Sequence, residues 1–487
     1  MINNTASYFI HIGDLQIDCS VIAFNLSIGL SDAVSKKQAT FIFDPKISFQ
    51  KINELSVTYI GTIENASTVL NNTFTIEKIA ELRGSFVLFV LTETKLLFFI
   101  SLTGHIPGYI LQQENQIFIT SEIKAFRNTT LFNRKMIPVE SYRYTYTSAV
   151  PQTFSFLQDC NRAIPGTLYE FSLETPSNIK STTLKEINSK TVSIDFEEAK
   201  NKLHHILSDA TITETPADKT VSLALSGGVD SGTILGLLAQ RYKTVHTFSI
   251  GTEFGNEYEK AKISSELHRS VHHEIYIDDS MFCEGLLHSV FYNEICDPLY
   301  AEGFVAFYHY LKHASTYSAV CFTGYGADLI LGNMHQPQND TDIGKINAAW
   351  CKRTSWTGEL SPYLAASFNS KLLYPFWNEA LIDFALSLPL ACIQNNTTEK
   401  IILRSMSEEK KLTHPDIAWN RKTALTHGTS IDKLFSKVLN IENENGYILK
   451  SVFLYYLYEA FFVQDKTISE INLPSLIQKS KAYVDSI

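Results

Sequence analysis

The sequence lacks the features that mark several common protein classes. Its seven cysteines are scattered and include no C-x-x-C pair, so neither a structural zinc site nor a disulfide framework is expected. The most apolar region, residues 86–102, is interrupted by Thr92-Glu-Thr-Lys95 and is too short for a membrane-spanning helix. The N-terminus has neither the basic start nor the apolar stretch of a secretory signal. We therefore expect a protein of the reducing cytoplasm with no membrane span.

An excess of basic residues is also missing. The 487 residues include 51 acidic and 41 basic side chains, and the net charge of −10 argues against nucleic acid as the main partner. With 45% hydrophobic and 19% charged residues, the chain is long and apolar enough to form two large domains. A small-molecule substrate suits this composition. The sequence leaves the oligomeric state open, a homo-oligomer included.

The first part of the chain is rich in short apolar runs separated by turn residues, which is typical of a sheet. The runs 86–91 and 96–100 flank a turn and are apolar without alternation, which predicts a hairpin buried on both faces. Such a hairpin is expected in a layered α/β/β/α sandwich. Residues 174–193 are rich in Ser, Thr, Lys and Asn and are predicted to be an interdomain linker. We place the two domains at residues 1–190 and 195–487.

Strands and helices alternate after this linker, which predicts an α/β domain with a doubly wound parallel sheet. Helical periodicity dominates from residue 348 to the end. The predicted elements are strands 221–225, 245–250, 272–277 and 319–323, and helices 231–242 and 257–269.

The most informative segment is Ser226-Gly-Gly-Val-Asp-Ser231, which lies between a predicted strand and a predicted helix. Gly227 and Gly228 allow a tight turn, and the amides of the following helix N-terminus suit phosphate oxygens. The hydroxyls of Ser226 and Ser231 add donors. Asp230 would repel phosphate directly but suits a Mg²⁺ ion that bridges phosphates. No G-x-x-x-x-G-K-[ST] loop occurs, which disfavours γ-phosphate transfer of the Walker type.

This loop resembles the pyrophosphate-binding signature of the ATP pyrophosphatases, a group that includes the asparagine synthetases. The resemblance implies that ATP is cleaved to AMP and pyrophosphate and that AMP is transferred to a carboxylate. Three further segments resemble the β-lactam synthetases, and carbapenam synthetase among them. They are residues 249–257 (SIGTEFGNE), 323–328 (TGYGAD) and 353–359 (RTSWTGE).

The β-lactam synthetase resemblance implies a role for each matching residue. Tyr325 and Glu359 would form the dyad that removes a proton from the attacking amine, and Lys422 would neutralise charge on the tetrahedral intermediate. Asp230 and Asp328 would hold Mg²⁺. The remaining positions would bind ATP through the phosphate loop or the main chain: Leu223, Ser226, Gly227, Gly228, Asp230, Ser231, Ser249, Ile250 and Gly324.

Two lysines compete for the role beside the phosphates. Lys400 could reach phosphate, but we rank it after Lys422 because Arg404, four residues on, suggests an ordinary charged helix face. Just beyond Lys422, this chain has Ala424-Leu-Thr-His-Gly428 where the family usually has Gly-[Ile/Val]-His-Glu-Gly. Because this loop lies close to the chemistry, the departure bears on the substrate.

The N-terminal part resembles the amidotransferase domain of the glutamine-dependent asparagine synthetases, through Gly84-Ser-Phe86 and Gly104-His-Ile-Pro-Gly-Tyr109. Those enzymes use the cysteine that follows the initiator methionine as nucleophile and base, and this chain has Ile2 there. Cys19 has no free α-amine and falls in a predicted strand. We expect an N-terminal nucleophile (Ntn) hydrolase-type sandwich that has kept its fold and lost glutaminase chemistry.

The sequence leaves three functions open. The leading hypothesis is an intramolecular amide synthetase that makes a β-lactam, such as a carbapenam from a carboxymethylproline-like amino diacid. A second is a cyclase or amide ligase of the same machinery that acts on a different amino acid or a peptide. A third, a catalytically dead nucleotide-binding module, would require the loss of Asp230, Lys422 or the dyad, and all are present. Asp297 and Glu302 are further carboxylates that could meet a cationic substrate amine.

Overall fold

The computed structural model describes most of the chain. The described residues are 7–13, 15, 17–26, 34–36, 39–43, 47, 49–141, 155–212, 219–332, 340–357, 359–395, 397–420, 428–441 and 446–487. Ile2 and Lys422, which carry two of the sequence-based predictions, lie outside these ranges.

Two six-stranded sheets make up the N-terminal part, and the strand pairs described within them are antiparallel. The first sheet has the order β10-β8-β9-β1-β3-β2 and the second β12-β11-β7-β6-β5-β4. The strands are β1 (Tyr8–Ile12), β2 (Val34–Lys36), β3 (Ala39–Phe43), β4 (Gln50–Ile52), β5 (Leu55–Ile63), β6 (Gly84–Leu91), β7 (Lys95–Ile100), β8 (Tyr109–Gln113), β9 (Gln116–Thr120), β10 (Cys160–Arg162), β11 (Thr167–Ser172) and β12 (Ile179–Thr183).

The β6–β7 hairpin confirms the prediction of a strand pair buried on both faces. Val87, Phe89 and Leu91 point into the core between the two sheets, whereas Phe86 and Leu88 belong to the core on the outer side. The rings of Phe89 and Phe98 stack with their centroids 5.2 Å apart. Because successive side chains of a strand face opposite sides, an unbroken apolar run needs a core on each side.

Helical segments cover the outer faces of both sheets, as the predicted α/β/β/α layering requires. Helix α1 (Cys19–Asn25) packs on the first sheet, and α2 (Ala66–Val69) with the 3₁₀ segment Ile76–Glu81 packs on the second. A further 3₁₀ segment, Ile123–Phe126, follows β9. The assignment of this sandwich to the Ntn type stays a prediction.

Two predictions about this part were wrong. Cys19 is the first residue of α1 and not part of a strand, because Asp18 caps the helix by accepting hydrogen bonds from the backbone of Ser20 and Val21. The predicted linker 174–193 contains β12, which pairs with β11 at the edge of the second sheet. Its polar composition is that of an exposed edge strand, and the irregular residues are 174–178 before it and 184–195 after it. The division at 1–190 and 195–487 stays a prediction.

A parallel sheet forms the centre of the C-terminal part, with the order β16-β14-β13-β17-β18 and a two-residue strand, β15, antiparallel to the end of β14. The central strand β13 is buried on both faces. Helices α4 and α5 pack on β14, and α7 packs on β13 and β14. The strand order runs from β13 in both directions, to β14 and β16 on one side and to β17 and β18 on the other, as in a doubly wound sheet. The elements are α3 (Phe196–Ala210), β13 (Thr220–Ala224), α4 (Val229–Arg241), β14 (Thr244–Thr252), β15 (Gly255–Asn256), α5 (Tyr258–His268), β16 (Val271–Tyr276), α6 (Asp279–Asn293), α7 (Pro298–Ala314), β17 (Val320–Thr323) and β18 (Lys371–Leu373).

The predicted helical character of the last third is also confirmed. These helices are α8 (Ala327–Leu331), α9 (Asp340–Thr357), α10 (Tyr363–Ala366), α11 (Glu379–Leu386), α12 (Leu390–Ile393), α13 (Ile401–Glu409), α14 (Pro415–Ala418), α15 (Ile431–Val438), α16 (Gly446–Phe462), the 3₁₀ segment Ile468–Glu470 and α17 (Leu473–Val484). Nowhere in the described ranges is a helix long and apolar enough to cross a bilayer.

The two parts of the chain are joined by buried polar contacts. Glu294, which follows α6, accepts hydrogen bonds from the backbone amides of Ile123 and Lys124, each at 2.8 Å. Arg127 donates from Nε to the carbonyl of Phe461 at 3.1 Å. The two bonds to Glu294 fix the main chain of the 3₁₀ segment against the C-terminal part, and Arg127 adds a side-chain contact.

Candidate active site

The predicted phosphate loop connects β13 to α4. Gly227 has a φ of +69°, a left-handed conformation that favours glycine, and a Cβ there would lie 2.6 Å from Cβ of Lys260. Ser231 closes the loop, because its Oγ accepts from the amide of Ser226 at 3.1 Å and lies 3.1 Å from Oγ of Ser226. The helix N-cap is Gly228, which brings no side chain to the first turn. This leaves the amide groups of the first turn as the donors that a phosphate would meet.

A second loop reaches the same edge of the sheet from the neighbouring strand, β17. The strands β13 and β17 are parallel, with Ala224 opposite Thr323, so their carboxyl ends meet. A Cβ on Gly324 would lie 2.7 Å from the amide nitrogen of Ser231. The main chain of the second loop therefore contacts the phosphate loop directly, and Tyr325 is the next residue.

The positions predicted to frame the nucleotide through their main chain lie at this edge. Leu223 is in β13, and Ser249 and Ile250 are in β14, all buried. Ser249 donates from Oγ to the carbonyl of Leu225 at 2.9 Å. That bond ties the ends of β13 and β14 together, beside the loop that follows Leu225.

Lys400 lies between the two carboxylates that were predicted to bind metal. Its ammonium contacts both Oδ atoms of Asp230 at 2.8 Å and also forms an ion pair with Asp328. The side chain of Lys400 is fully buried, that of Asp230 nearly so, and that of Asp328 is 30% exposed. Three residues that are distant in sequence thus form one charged cluster.

The expected charged helix face at Lys400 and Arg404 was wrong. Both side chains are buried, and the Arg404 guanidinium donates to the carbonyls of Ala418 at 2.6 Å and Asn420 at 2.8 Å. The spacing of four residues places them on the same side of α13, but that side faces the site. The spacing of charged residues in a sequence does not distinguish a solvent-exposed helix face from a buried one whose charges are paired with residues distant in the sequence.

The donor set of this cluster fits a magnesium ion. Asp230 and Asp328 converge on one cation, the ammonium of Lys400, so the two carboxylates can share a positive charge. Magnesium in nucleotide sites is held by one or two carboxylates together with phosphate oxygens and water. Among the described residues there is no group of three His, Cys, Asp or Glu side chains that could hold a metal without such help.

Tyr325 and Glu359, the predicted dyad, are brought together by the fold. The Tyr325 hydroxyl donates a hydrogen bond to Oε2 of Glu359, and Oε1 accepts from Oγ1 of Thr357 at 2.9 Å. Tyr325 follows β17, whereas Glu359 follows the last turn of α9. The pair therefore joins a loop of the sheet edge to a helix end.

Burial sets the proton affinity of the dyad. It raises the pKa of the Glu359 carboxyl above 4.5, although the hydrogen bonds to Tyr325 and its neighbours oppose the shift. Burial and the adjacent Glu359 raise the pKa of Tyr325 well above 10. Tyr325 thus keeps its proton at neutral pH, and Glu359 binds a proton more tightly than an ordinary carboxylate does.

Sequence reasoning did not predict the other partners of Glu359. Thr354 and Tyr300 lie beside its carboxyl group, and the ring of Tyr374 lies 6.1 Å from that of Tyr325. Thr354 and Thr357 fall within the segment 353–359, so their closeness to Glu359 in the sequence could have predicted these contacts. Tyr300 lies in the first turn of α7 and gave no such signal.

Asp297 and Glu302, which were predicted as possible contacts for a substrate amine, have partners within the protein. Glu302 is buried in an ion pair with Lys450, 2.7 Å between Oε1 and Nζ. Asp297 caps α7 by accepting from the amide of Tyr300 at 3.2 Å. Burial raises the pKa of the Asp297 carboxyl. These contacts disfavour Glu302 as a group that receives a cation from outside.

The predicted role of Lys422 falls on residues outside the described ranges. The described neighbours on either side are tied to the site region. Asn420 accepts from Arg404, and a Cβ on Gly428 would lie 2.7 Å from the carboxyl carbon of Glu257. Thr252, at the end of β14, donates to the carbonyl of Thr429 at 2.5 Å.

Comparison with known proteins identifies relatives of this region. Residues 202–373 match the family model described as asparagine synthase. Carboxyethyl-arginine beta-lactam-synthase from Streptomyces clavuligerus is 27% identical over 232 residues, which are 46% of this chain and 43% of that protein. Asparagine synthetase [glutamine-hydrolyzing] from Mus musculus is 26% identical over 259 residues, 50% of this chain and 46% of that protein. These matches confirm the predicted resemblance to asparagine synthetases with β-lactam synthetase relatives.

The matched regions span a little under half the length of these curated relatives. Among solved structures, NMN synthetase from Francisella tularensis aligns over 54% of this chain and 94% of its own, with 12% identity and a TM-score of 0.27.

We predict that Lys400→Met lowers the free energy of unfolding by about 3 kcal/mol, because two facing carboxylates lose their counter-charge. The matched control is Lys410→Met, which removes a partly exposed ammonium paired with Glu409 and should cost less than about 1 kcal/mol. Urea unfolding followed by tryptophan fluorescence measures both. Equal losses in the two variants would show that Lys400 is not the counter-ion of this cluster.

Proposed function

We propose that this chain is an ATP-dependent amide synthetase that forms AMP and pyrophosphate and closes a β-lactam ring. The observation that carries the proposal is the contact between the phosphate loop and the loop of Tyr325, made by Gly324 against Ser231. It puts the predicted phosphate loop and the loop of Tyr325, whose side chain is paired with Glu359, at one sheet edge. A carboxymethylproline-like amino diacid, giving a carbapenam, suits the β-lactam synthetase resemblance.

The first step activates the substrate carboxylate. A carboxylate oxygen attacks the α-phosphorus of ATP, the bond to the β-phosphate oxygen breaks, and pyrophosphate leaves. The amides of the loop from Ser226 to Ser231 bind the phosphate oxygens at the N-terminus of α4. Asp230 and Asp328 would hold Mg²⁺, which neutralises phosphate charge when bound. Lys400, already between these carboxylates, supplies a further positive charge.

The second step closes the ring. The amine nitrogen attacks the carbonyl carbon of the acyl adenylate and must lose a proton. Tyr325 accepts that proton at its hydroxyl oxygen and passes its own proton to Glu359, along the hydrogen bond between them. The raised pKa of Glu359 suits this role, because a carboxylate that binds a proton more tightly is a better base. The tetrahedral intermediate then collapses, and AMP leaves.

Product analysis tests the proposal. Incubation with ATP, Mg²⁺ and a panel of β-amino acids, carboxymethylproline among them, should yield AMP, pyrophosphate and a substrate lighter by one water. Asp230→Asn should cut turnover strongly, since it removes a carboxylate charge from the metal site. Mass spectrometry and phosphate chromatography identify the products. ADP as the main product would refute the loop assignment, and an amide joining two molecules would favour the amide-ligase alternative.

We predict that Tyr325→Phe or Glu359→Gln slows ring closure by roughly 10²–10⁴-fold, the usual scale of general-base catalysis. Adenylation, measured as substrate-dependent pyrophosphate exchange, should survive better. The control Tyr455→Phe removes a buried hydroxyl that donates to the carbonyl of Ile137, outside the site, and should leave closure unchanged. If pyrophosphate exchange and ring closure fell equally, the dyad would have a role in substrate binding or in folding and not in proton transfer.

The same dyad predicts a pH dependence. Glu359 must be ionised to receive the proton, so closure should fall as pH drops through a pKa that burial has raised above 4.5. That acid limb should be absent from the residual activity of Glu359→Gln.

We predict that Lys422→Met reduces product formation by more than about 10³-fold, because a fixed cation stabilises the charge that develops in the transition state. ATP binding and the folded state should be retained. Lys371→Met, at an exposed position of β18, is the control. If Lys422→Met kept a tenth or more of the rate, the role would pass to Lys400 or Arg421.

A further inference from the structure

One turn of the N-terminal sandwich contacts the helix end that leads to Glu359 and the segment that packs beside Tyr325. The turn consists of residues 101–105 and follows β7. On one side it meets the end of α9, which leads to Glu359. On the other side it meets residues 374–377, which pack beside Tyr325.

The contact with α9 is made by main chain against main chain. Gly104 has a φ of +61°, and a Cβ there would lie 1.6 Å from the carbonyl oxygen of Ser355. Ser355 lies in the last turn of α9, between Thr354 and Thr357, and the hydroxyl of Thr357 hydrogen-bonds to Glu359. The turn therefore abuts the piece of helix that fixes the carboxylate.

The contact on the tyrosine side has two parts. The Trp377 indole donates to the carbonyl of Thr103 at 2.9 Å. The ring of His105 meets the ring of Tyr374 edge to face at 5.4 Å, and Tyr374 meets Tyr325 in the same way at 6.1 Å. Burial lowers the pKa of His105 to about 4, so at neutral pH this packing brings no charge beside the dyad.

The turn is itself held firmly by the second sheet. Ser101 donates from its amide to the carbonyl of Phe86 at 2.9 Å, and its Oγ accepts from the Phe86 amide at 3.0 Å. The hydroxyls of Thr103 and Ser85 lie 3.0 Å apart within hydrogen-bond distance. Gly104 closes the turn by donating to the carbonyl of Ser101 at 3.1 Å. A braced turn can hold its neighbours in place, because it does not move independently of the sheet.

We propose that residues 101–105 are a positioning element that sets the distance and alignment between Tyr325 and Glu359. The N-terminal sandwich thereby contributes to ring closure without touching the substrate. The inference rests on the proposed function in one respect, that the pair carries the proton. The contacts themselves do not depend on it.

The test compares Gly104→Ala with Gly13→Ala. Both substitutions place a Cβ at a positive φ, but the Cβ at Gly13 meets the side chain of Gln116 in β9, in the first sheet. Gly104→Ala should speed amide hydrogen exchange in residues 351–360, whereas Gly13→Ala should not. It should also lower the ratio of ring closure to pyrophosphate exchange, on the order of 10²-fold for a displacement of about 1 Å.

Trp377→Phe provides a second variant, which keeps an aromatic ring at this position and removes the hydrogen bond to Thr103. It should lower the same ratio, by less than Gly104→Ala does, and shift the acid limb of closure. If the turn had only a structural role, the variants would reduce ring closure and pyrophosphate exchange by the same factor. The proposal would be overturned if, in both variants, amide hydrogen exchange in residues 351–360 and the ratio of ring closure to pyrophosphate exchange were unchanged. If the wild-type chain showed no pyrophosphate exchange with any substrate, the proposed function would fail, and hydrogen exchange would still test the contact.

Discussion

The parallel pairing of β13 with β17 is the constraint on which the site depends. Parallel neighbours end at the same edge of a sheet, so the loops after Ala224 and Thr323 have to share one space. Gly324 lets them share it, since any side chain there would collide with the amide of Ser231. If the two strands were antiparallel, the loops would lie at opposite edges, and the predicted phosphate loop could not contact the loop of Tyr325. The chemistry proposed for this chain therefore depends on the parallel orientation of these two strands.

Charge balance is the second requirement of this edge. The carboxylates of Asp230 and Asp328 face the ammonium of Lys400, and the buried guanidinium of Arg404 lies close enough to interact with both. Such a cluster holds together because each charge has a partner, and the loss of any member leaves another uncompensated. The arrangement also suits a site where a polyphosphate and a divalent cation arrive together, because the lysine and the carboxylates can exchange partners without a charge being left isolated.

The sequence was informative wherever the signal is local. The β6–β7 hairpin, the loop from Ser226 to Ser231 and the alternation of strands and helices follow from composition, turn residues and spacing. Tyr325 and Glu359 were named from a resemblance, and the fold joins them. The burial of Lys400 was not predictable in this way, because it depends on two carboxylates from other loops. Cys19 was predicted to lie in a strand, although Asp18, a favourable N-cap residue, was a local signal for the start of a helix.

The contact between Gly104 and Ser355 has a consequence for which substitutions the chain tolerates. It is made by the backbone of both residues, so the side chain of Ser355, whose hydroxyl bonds within its own helix to the carbonyl of Lys352, takes no part in it. Position 355 can therefore accept other small residues that favour a helix, whereas position 104 accepts only glycine. Although the two residues make the same contact, position 355 can vary among related sequences and position 104 cannot. A comparison of sequences would therefore detect this contact at position 104 and miss it at position 355.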